Sequence, residues 1–319
     1  MNVLEEIESK IESIRSIDDS HYLEIILIHI KRAEYYYTEG NRDEAFYNDV
    51  IYRCNQAYEG ALKEAYQVLA DKSQEEVAKK TPNNIEKYFE ENKTFKDRVL
   101  QLFSNYRLEW RNKSTHDYKL TFDSGEAFIA LMSVTSFIYL LLNEIQEKVA
   151  YKKQEKEIRD QHLISDKTRE IIRNKDKTPV ERLTELLNCF INLDLDKNSK
   201  PSLETGFELS GRLHAFLESV DNIEVEQEPY SDNNHIIFRP DFVVKIDNVS
   251  IILEIKKTNT SGDIVIGYLN QISGYMQAMD INEGIVFIST NNASRTDTDV
   301  QENVNTFNGR EFKIITIVY

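Results

Sequence analysis

Apolar residues recur at three- and four-residue spacing through most of the first 150 positions, and this period predicts amphipathic helices. Helix-breaking residues separate the predicted helices at 40–41, 81–84 and 123–125. The helices are expected at about 22–37, 45–69, 84–91, 96–114 and 125–145. The pattern therefore predicts a helical bundle over residues 1–150.

The last of these helices, at 125–145, is apolar around nearly its whole circumference. A helix that packs on one side of a small bundle needs only an apolar stripe. Part of this helix is therefore expected to face a crowded core or a partner chain. The interpretation is a homodimer formed mainly by the N-terminal domain.

The period changes in the second half of the chain. Residues 151–200 combine a charge-rich stretch with a short helix after Pro179, and we interpret them as a solvated helical connector that contains the domain boundary. Beyond residue 200, the predicted elements are a helix at 202–220, strands at 223–228, 236–246 and 250–257, a helix at 262–279, and strands at 284–289 and 312–319. This α-β-β-β-α-β order predicts an α/β domain over residues 201–319.

Length and composition agree with two globular domains. The chain has 319 residues, 40% of them hydrophobic, with few glycines and prolines. It lacks an apolar run of about 18 residues and starts with a charged segment, so neither a membrane span nor a secretory signal is expected. A cytoplasmic protein is the expectation. Cys54 and Cys189 stand without CxxC spacing, which favours buried small side chains over zinc ligands or a disulfide.

The formal charge of −16 is an argument against a protein that binds nucleic acid, because neutralising phosphates supplies most non-specific affinity. The argument weakens if the acidic residues lie partly in a metal-binding cleft and partly on distant solvated faces. A protein of this charge that does bind nucleic acid is expected to bind modestly and to use a metal ion as a bridge to phosphate.

The most informative segment is a predicted hairpin. If Asp247 and Asn248 are the central residues of a tight turn, Ile246 faces Val249 and the register can be counted back. Asp241 then lies opposite Glu254, at a spacing where two like charges destabilise each other unless something offsets them.

A divalent cation would offset that repulsion. Alternation along the strand puts Lys256 on the same face as Glu254. Carboxylate oxygens hold a hard ion such as Mg²⁺, with Mn²⁺ as the alternative, and such an ion activates water and stabilises a phosphoryl transition state. Lys256 would stand beside the attacking water or the phosphate. The competing interpretation is an ordinary hairpin with charges on its solvent face.

Pro240-Asp241 and Glu254-Ile255-Lys256 resemble the motif of the PD-(D/E)xK nuclease superfamily, and the predicted element order is also that of this restriction-endonuclease-like fold. The resemblance covers about residues 201–319. It implies metal-dependent cleavage of DNA, by an endonuclease or an exonuclease, with Asp241 and Glu254 as metal ligands and Lys256 as a catalytic residue.

Two further features are similar to the branch related to the RecB nuclease domain. Gln271 and Tyr275 match its QxxxY motif and share a helix face, where they would contact the phosphate backbone; Tyr275 equally fits the apolar stripe of that helix. His214 resembles the helix histidine of the branch, which implies a metal ligand, although its spacing from Gly211 is one residue short. Glu208 is the alternative metal ligand on this helix, and its remaining carboxylates are Glu204 and Glu218.

The string Arg111-Asn112-Lys-Ser-Thr-His116 precedes the apolar helix of the first domain and resembles the HEPN family over about residues 20–148. In the ribonucleases of that family, the resemblance implies, His116 takes part in proton transfer and Arg111 stabilises phosphate charge, without a metal. On a regular helix, Arg111 and His116 lie about 140° apart. A composite site across a dimer, or a helix end between the two residues, would resolve this. The alternatives are a HEPN-like dimerisation or sensing module and a purely structural role.

Three functional hypotheses follow. The favoured one is a Mg²⁺-dependent DNA nuclease joined to a HEPN-like module, in prokaryotic defence against phage or plasmid DNA; the defence role rests on family association alone. The second is a metal-independent HEPN ribonuclease toxin whose C-terminal domain binds nucleic acid. The third is a non-catalytic scaffold for partner proteins of a defence complex.

Overall fold

The fold is taken from a computed structural model of the chain. The structure describes the backbone outside residues 1–2, 19–20, 96, 117–118, 161–162, 196–204, 230, 234–235, 259–263, 291–297 and 308–309. Side chains are described outside 1–2, 19–20, 96–98, 115–118, 160–165, 194–204, 230–237, 259–265, 291–297 and 305–310. The chain forms two compact units, Met1–Val149 and Ala150–Tyr319.

The first unit is helical, as the apolar spacing predicts. Its helices are α1 (Val3–Ile17), α2 (Leu23–Glu39), α3 (Phe46–Leu69), α4 (Gln74–Ala78), α5 (Pro82–Glu91), α6 (Asp97–Tyr106), α7 (Asn112–His116) and α8 (Ser124–Asp160), of which residues 150–160 belong to the second unit. A π-helical turn, Arg107–Arg111, joins α6 to α7. Several breaker residues of the sequence act as caps. Thr81 accepts a hydrogen bond from the backbone of Asn84, with Pro82 at the first helical position.

The central helix of this unit is α3, which is buried along much of its length. Small residues such as Ala57 and Ala61 let neighbouring helices approach closely, and Tyr58 packs its ring against Tyr106 and Phe137. Helix α2 meets α3 at Gly40, where an added Cβ would stand 2.2 Å from the Tyr47 ring. Glycine is therefore required by packing at that position.

Helix α8 is long and apolar enough to span a membrane by length and composition, and half of its most apolar 18-residue stretch is buried inside the protein. Core helices of soluble proteins pass the same test. The buried side carries Val134, Phe137 and Leu141, whereas Phe128 and Ile129 are exposed. The all-round apolarity of the sequence thus divides into a core face and an exposed face.

The second unit combines helices with one large sheet. Its helices are α9 (Leu163–Arg173), α10 (Pro179–Leu195), α11 (Gly206–Glu218) and α12 (Ile264–Met279). Its strands are β1 (Ile223–Gln227), β2 (Ser231–Asn233), β3 (Ile236–Phe238), β4 (Phe242–Ile246), β5 (Val249–Thr258), β6 (Glu283–Thr290), β7 (Asp299–Phe307) and β8 (Arg310–Val318). The elements expected from the sequence are present, with the strand expected at 236–246 appearing as β3 and β4, and β2 and β7 are additional strands.

The six-stranded sheet has the order β1-β4-β5-β6-β8-β7. Strands β1, β4 and β5 are antiparallel neighbours, β5-β6 and β6-β8 are parallel, and β7 pairs antiparallel with β8. Strands β2 and β3 form a separate two-stranded ribbon. The single strand expected at 236–246 is divided because Pro240 cannot donate to a ladder.

Residues 151–200 contribute to the core of the second unit rather than forming a solvated connector. Val180, Leu183 and Phe190 of α10 are fully buried and pack in one cluster with Leu209 and Leu213 of α11. Charged residues such as Arg169, Glu170 and Glu181 are exposed on the outer side of these helices, whereas Arg182 is buried. A charge-rich composition concealed that amphipathic pattern.

The sheet has a separate apolar core on each face. Phe242, Leu253 and Ile255 face α10 and α11. Ile252 and Val286 face α12, together with Ile272 and Met276 of that helix. Because side chains alternate along a strand, Glu254 belongs to the face covered by α12.

Both cysteines are buried and free, as the sequence predicts. Burial raises the pKa of the Cys54 and Cys189 thiols, so neither is prepared to react as a thiolate.

Candidate functional site

The β4–β5 hairpin has the predicted register. Ile246 pairs with Val249, and the ladder runs back to Phe242 opposite Leu253. Asp247 and Asn248 have φ values of 50° and 67°, the left-handed conformation of a tight two-residue turn. Asp247 also accepts from Lys175 at 2.6 Å and forms an ion pair with the buried Arg182 of α10. The turn is therefore tied to the helical layer.

Asp241 and Glu254 are called the carboxylate pair, and the side chain of each accepts a hydrogen bond from the backbone at or next to the other. The backbone N–H of Ile255 donates to Asp241 Oδ2 at 2.7 Å, and the backbone N–H of Asp241 donates to Glu254 Oε2 at 3.2 Å. Glu254 is only 2% exposed. A buried carboxylate requires hydrogen bonds and a compensating charge, and here the backbone supplies part of the first.

Lys256 supplies a compensating charge. Its Nζ lies 2.5 Å from Glu254 Oε1. Burial alone would lower the pKa of Lys256, but the Glu254 carboxylate outweighs burial, with Asp241 adding to it, and the net pKa is raised. Lys256 is therefore a firmly charged ammonium within the carboxylate pair.

Helix α12 brings Gln271 and Tyr275 to the same place. Gln271 Nε2 donates to Glu254 Oε1 at 3.0 Å and to the Tyr275 hydroxyl at 2.7 Å. Burial raises the pKa of the Tyr275 phenol, and its ring meets Phe238 edge-on at a centroid distance of 6.3 Å. Thus five predicted residues, Asp241, Glu254, Lys256, Gln271 and Tyr275, form one connected site.

Tyr268, an aromatic residue of α12, is a further member of this site. Its ring centroid lies 5.6 Å from Lys256 Nζ, within the range of a cation–π interaction. Its position three residues before Gln271 gives both side chains one helix face. That spacing was the available signal, but the contact with Lys256 depends on how α12 docks on the sheet.

His214 and Glu208 occupy the layer of α11. The His214 ring packs against Tyr151 and Phe242, and its Nε2 lies 3.5 Å from Glu218 Oε1. Since Phe242 faces α11 and Glu254 faces α12, the imidazole lies on the other side of the sheet from the Glu254 carboxylate.

Glu208 forms a capping box at the start of α11. Its Oε2 accepts from the backbone N–H of Thr205 at 2.7 Å, and its own N–H donates to Thr205 Oγ1 at 3.2 Å. This gives the Glu208 carboxylate a structural role. Glu218 accepts a hydrogen bond from Tyr151, and Glu204 lies outside the described residues.

The donor set suits a hard cation such as Mg²⁺. Within the described part of the chain, no group of three or more His, Cys, Asp or Glu side chains is arranged to hold a metal ion. The carboxylate pair offers oxygen ligands, and Mg²⁺ commonly binds through one or two carboxylates and keeps several waters. Asp241 and Glu254 therefore fit such an ion.

The second motif is on a continuous helical segment. Arg111 ends the π-helical turn, Asn112 begins α7, and His116 ends it. Hence no helix end separates Arg111 from His116. The Arg111 guanidinium donates to Asn112 Oδ1 at 3.3 Å, and the His116 side chain lies outside the described residues.

The π-helical turn is held on both sides by one residue of α3. The Tyr106 hydroxyl donates to Asn55 Oδ1 at 2.9 Å, and Asn55 Nδ2 donates to Ser114 Oγ at 2.8 Å. Beneath the turn, the buried Glu86 contacts Arg107 and Tyr58. Burial raises the pKa of Glu86 despite these partners.

The chain was compared with protein-family models, curated proteins and solved structures. No family model, no curated protein and no solved structure matches this chain. The geometry of the two motifs therefore carries the functional argument.

Proposed function

We propose that the second unit is a Mg²⁺-dependent nuclease that hydrolyses phosphodiester bonds in DNA, with Mn²⁺ able to replace Mg²⁺. The observation that carries the proposal is that Asp241, Lys256 and Gln271 all donate hydrogen bonds to the buried Glu254 carboxylate, Asp241 through its backbone N–H. An ordinary hairpin with solvated charges would not bury Glu254 to 2% exposure or bring a second helix to it. The site has the residues and order of the PD-(D/E)xK motif.

Each residue has a definable task in this reaction. Asp241 and Glu254 would hold the cation, which lowers the pKa of bound water and neutralises phosphate charge when it is present. Lys256 would stabilise charge on the phosphate or hold the attacking water. Gln271 would keep Glu254 oriented, and Tyr275 would contact the backbone of the nucleic acid.

The acidic composition is consistent with this assignment if binding is weak and metal-bridged. A net charge of −16 disfavours a protein that relies on phosphate neutralisation over a wide surface. Lys256 and the cation would supply positive charge at the reaction centre itself. We propose a cytoplasmic enzyme in prokaryotic defence, with other defence proteins as partners.

The test is incubation of the full chain with plasmid DNA, linear DNA and RNA in the presence of Mg²⁺, Mn²⁺ or EDTA. The expected result is DNA cleavage that requires the metal and that falls by orders of magnitude in Asp241→Asn and Glu254→Gln. Both variants keep side-chain size, so unchanged thermal unfolding serves as the control for folding. Full cleavage by Glu254→Gln would rule out this centre.

A metal-independent ribonuclease in the first unit is the second candidate. The observation that favours it is the π-helical turn directly before Asn112, because such turns often mark functional sites. RNA cleavage that persists in EDTA and is lost in Arg111→Ala would support it. Loss of RNA cleavage in EDTA would instead assign all activity to the second unit.

A further inference from the structure

The charge balance around Glu254 raises a question about cation binding. Glu254 Oε1 accepts from both Lys256 Nζ at 2.5 Å and Gln271 Nε2 at 3.0 Å, while Oε2 accepts from the backbone of Asp241. Both oxygens of this carboxylate are thus engaged before any cation arrives. Oε1 accepts two of these hydrogen bonds, about its full acceptor capacity, so a cation that binds this oxygen must displace at least one of them.

We propose that Lys256 occupies the cation's place at Glu254, so that its ammonium and a divalent cation compete for the same carboxylate. This inference rests on the proposed function. A divalent ion bound to Oε1 and an ammonium 2.5 Å from that oxygen would be separated by only a few ångströms, where like charges repel strongly in a partly buried site. Binding of the cation therefore requires Lys256 to withdraw.

The site provides a place for the withdrawn ammonium. The Tyr268 ring lies 5.6 Å from Lys256 Nζ, and an aromatic face attracts a cation. Because this ring contact is already present, a small rotation of the lysine side chain would move the ammonium off the carboxylate and closer to the ring. Lys256 would then remain in the site as a positive charge for the phosphate, while Glu254 is released for the cation.

The arrangement also accounts for the stability of the carboxylate pair without a cation. Two facing carboxylates repel each other, and removing one partner of a buried ion pair leaves an uncompensated charge. Lys256 is 20% exposed in its side chain and Glu254 3%, so the pair is largely shielded from water. Without a cation, Lys256 therefore neutralises the negative charge of the carboxylate pair. With a cation bound, the metal would do so.

The competition predicts an unusual variant. Lys256→Met removes the ammonium and keeps a flexible chain of similar shape, so it should lose cleavage but bind Mn²⁺ more tightly, by roughly tenfold or more. Lys256→Arg keeps the charge and should bind Mn²⁺ no more tightly than the unaltered protein. Lys257→Met is the matched control, because Lys257 is the next residue on β5 and points to the opposite face.

The measurement is titration of the full-length protein with Mn²⁺ alone, following free Mn²⁺ by electron paramagnetic resonance. The metal-induced rise in melting temperature is a second readout and should be larger in Lys256→Met than in the unaltered protein. If Lys256→Met does not fold, Lys256→Gln makes the same prediction. Equal or weaker Mn²⁺ binding by the folded neutral variant would overturn the competition.

Failure of the proposed function would look different. Mn²⁺ binding that is undetectable in both the unaltered protein and Lys256→Met, or that survives Glu254→Gln, would remove the metal centre and with it this inference. Binding that depends on Glu254 but is unaffected by Lys256→Met would leave the metal centre in place and reject the competition alone.

Discussion

At the scale of single residues, the site depends on how one buried carboxylate is satisfied. Glu254 accepts from a backbone N–H, a lysine ammonium and a glutamine amide. Period-two alternation and a two-residue turn were enough to predict that Asp241, Glu254 and Lys256 would be neighbours. Which donor reaches which oxygen was beyond prediction, because it depends on the docking of α12.

Replacing Tyr275 distinguishes two roles for this residue: packing in the core and contact with DNA. Tyr275→Phe keeps the ring beside Phe238 and removes the hydroxyl that accepts from Gln271. We expect the free energy of unfolding to change by about 1 kcal/mol or less, with a clear fall in kcat/KM for DNA. Steady-state kinetics and thermal unfolding of the same preparation separate the two effects. Unchanged kinetics would assign Tyr275 to the core.

For Gln271, in contrast to Tyr275, substitution is expected to lower the free energy of unfolding. Gln271→Leu removes a donor from the buried Glu254 carboxylate and leaves the Tyr275 hydroxyl without that amide. We expect a loss of about 1–3 kcal/mol in unfolding free energy, and Mn²⁺ should recover part of it by binding Glu254. Thermal unfolding with and without Mn²⁺ measures both effects, and Gln277→Leu, an exposed glutamine of the same helix, is the control. A melting temperature equal to that of the control would contradict this.

At the scale of elements, the sequence was enough to predict contacts between elements that are joined by a short turn. The hairpin register followed from Asp247-Asn248 because both residues tolerate the left-handed conformation of the turn. The role of α10 did not follow, because its charged outer side dominated the composition of 151–200. The π-helical turn was likewise beyond prediction, since Asn55 fixes it from a distant position on α3.

The turn between β4 and β5 gives a pH-dependent prediction. Hydrogen bonds from Lys175 and Arg182 lower the pKa of Asp247 below its ordinary value of 3.8. A depressed carboxyl pKa contributes stability above the unfolded pKa and loses it as pH falls through the folded value. Asp247→Asn keeps a residue suited to the turn and removes the charge from beside buried Arg182. The variant should melt at a lower temperature than the unaltered protein at pH 7.

The difference in melting temperature should shrink as pH falls below about 4, because the unaltered protein then loses the same charge. Melting curves between pH 3 and 7 measure it. Asp280→Asn is a control, because Asp280 also has a positive φ but lies between α12 and β6, away from the β4–β5 turn. A pH-independent difference for Asp247→Asn would show that the turn conformation, rather than the ion pair, matters.

At the scale of the whole molecule, the division into a helical unit and a sheet-containing unit followed from the change of hydrophobic period. The first unit ends at Val149, close to the expected end of the helical domain at 150, but the second unit begins at Ala150 rather than at 201 and includes the segment expected to be a connector. The apolar circumference of α8 was also apparent in the sequence, but only packing reveals which side stays open. Phe128, Ile129 and Met132 are 47%, 54% and 40% exposed on α8, and Ile25 and Ile28 are 50% and 58% exposed on α2.

These exposed residues support the prediction of a homodimer through the first unit. Contiguous exposed apolar side chains are typical of association surfaces, and Ile129 and Met132 are three residues apart on α8 and share one helix face. A charge such as Glu at the centre of a buried interface is costly, so Ile129→Glu should shift the protein toward monomer without unfolding it. Light scattering of the full chain at micromolar concentration should give twice the chain mass of 37.3 kDa for the unaltered protein.

Ile266→Glu is the matched control, because Ile266 is 64% exposed in the second unit and its replacement should leave the mass unchanged. The outcome also bears on Arg111 and His116, which lie on one unbroken helical segment about 140° apart by helical period. Only a partner chain could then bring the arginine of one copy to the histidine of the other. A clean monomer of the unaltered protein would refute the dimer and deprive the ribonuclease candidate of its composite site.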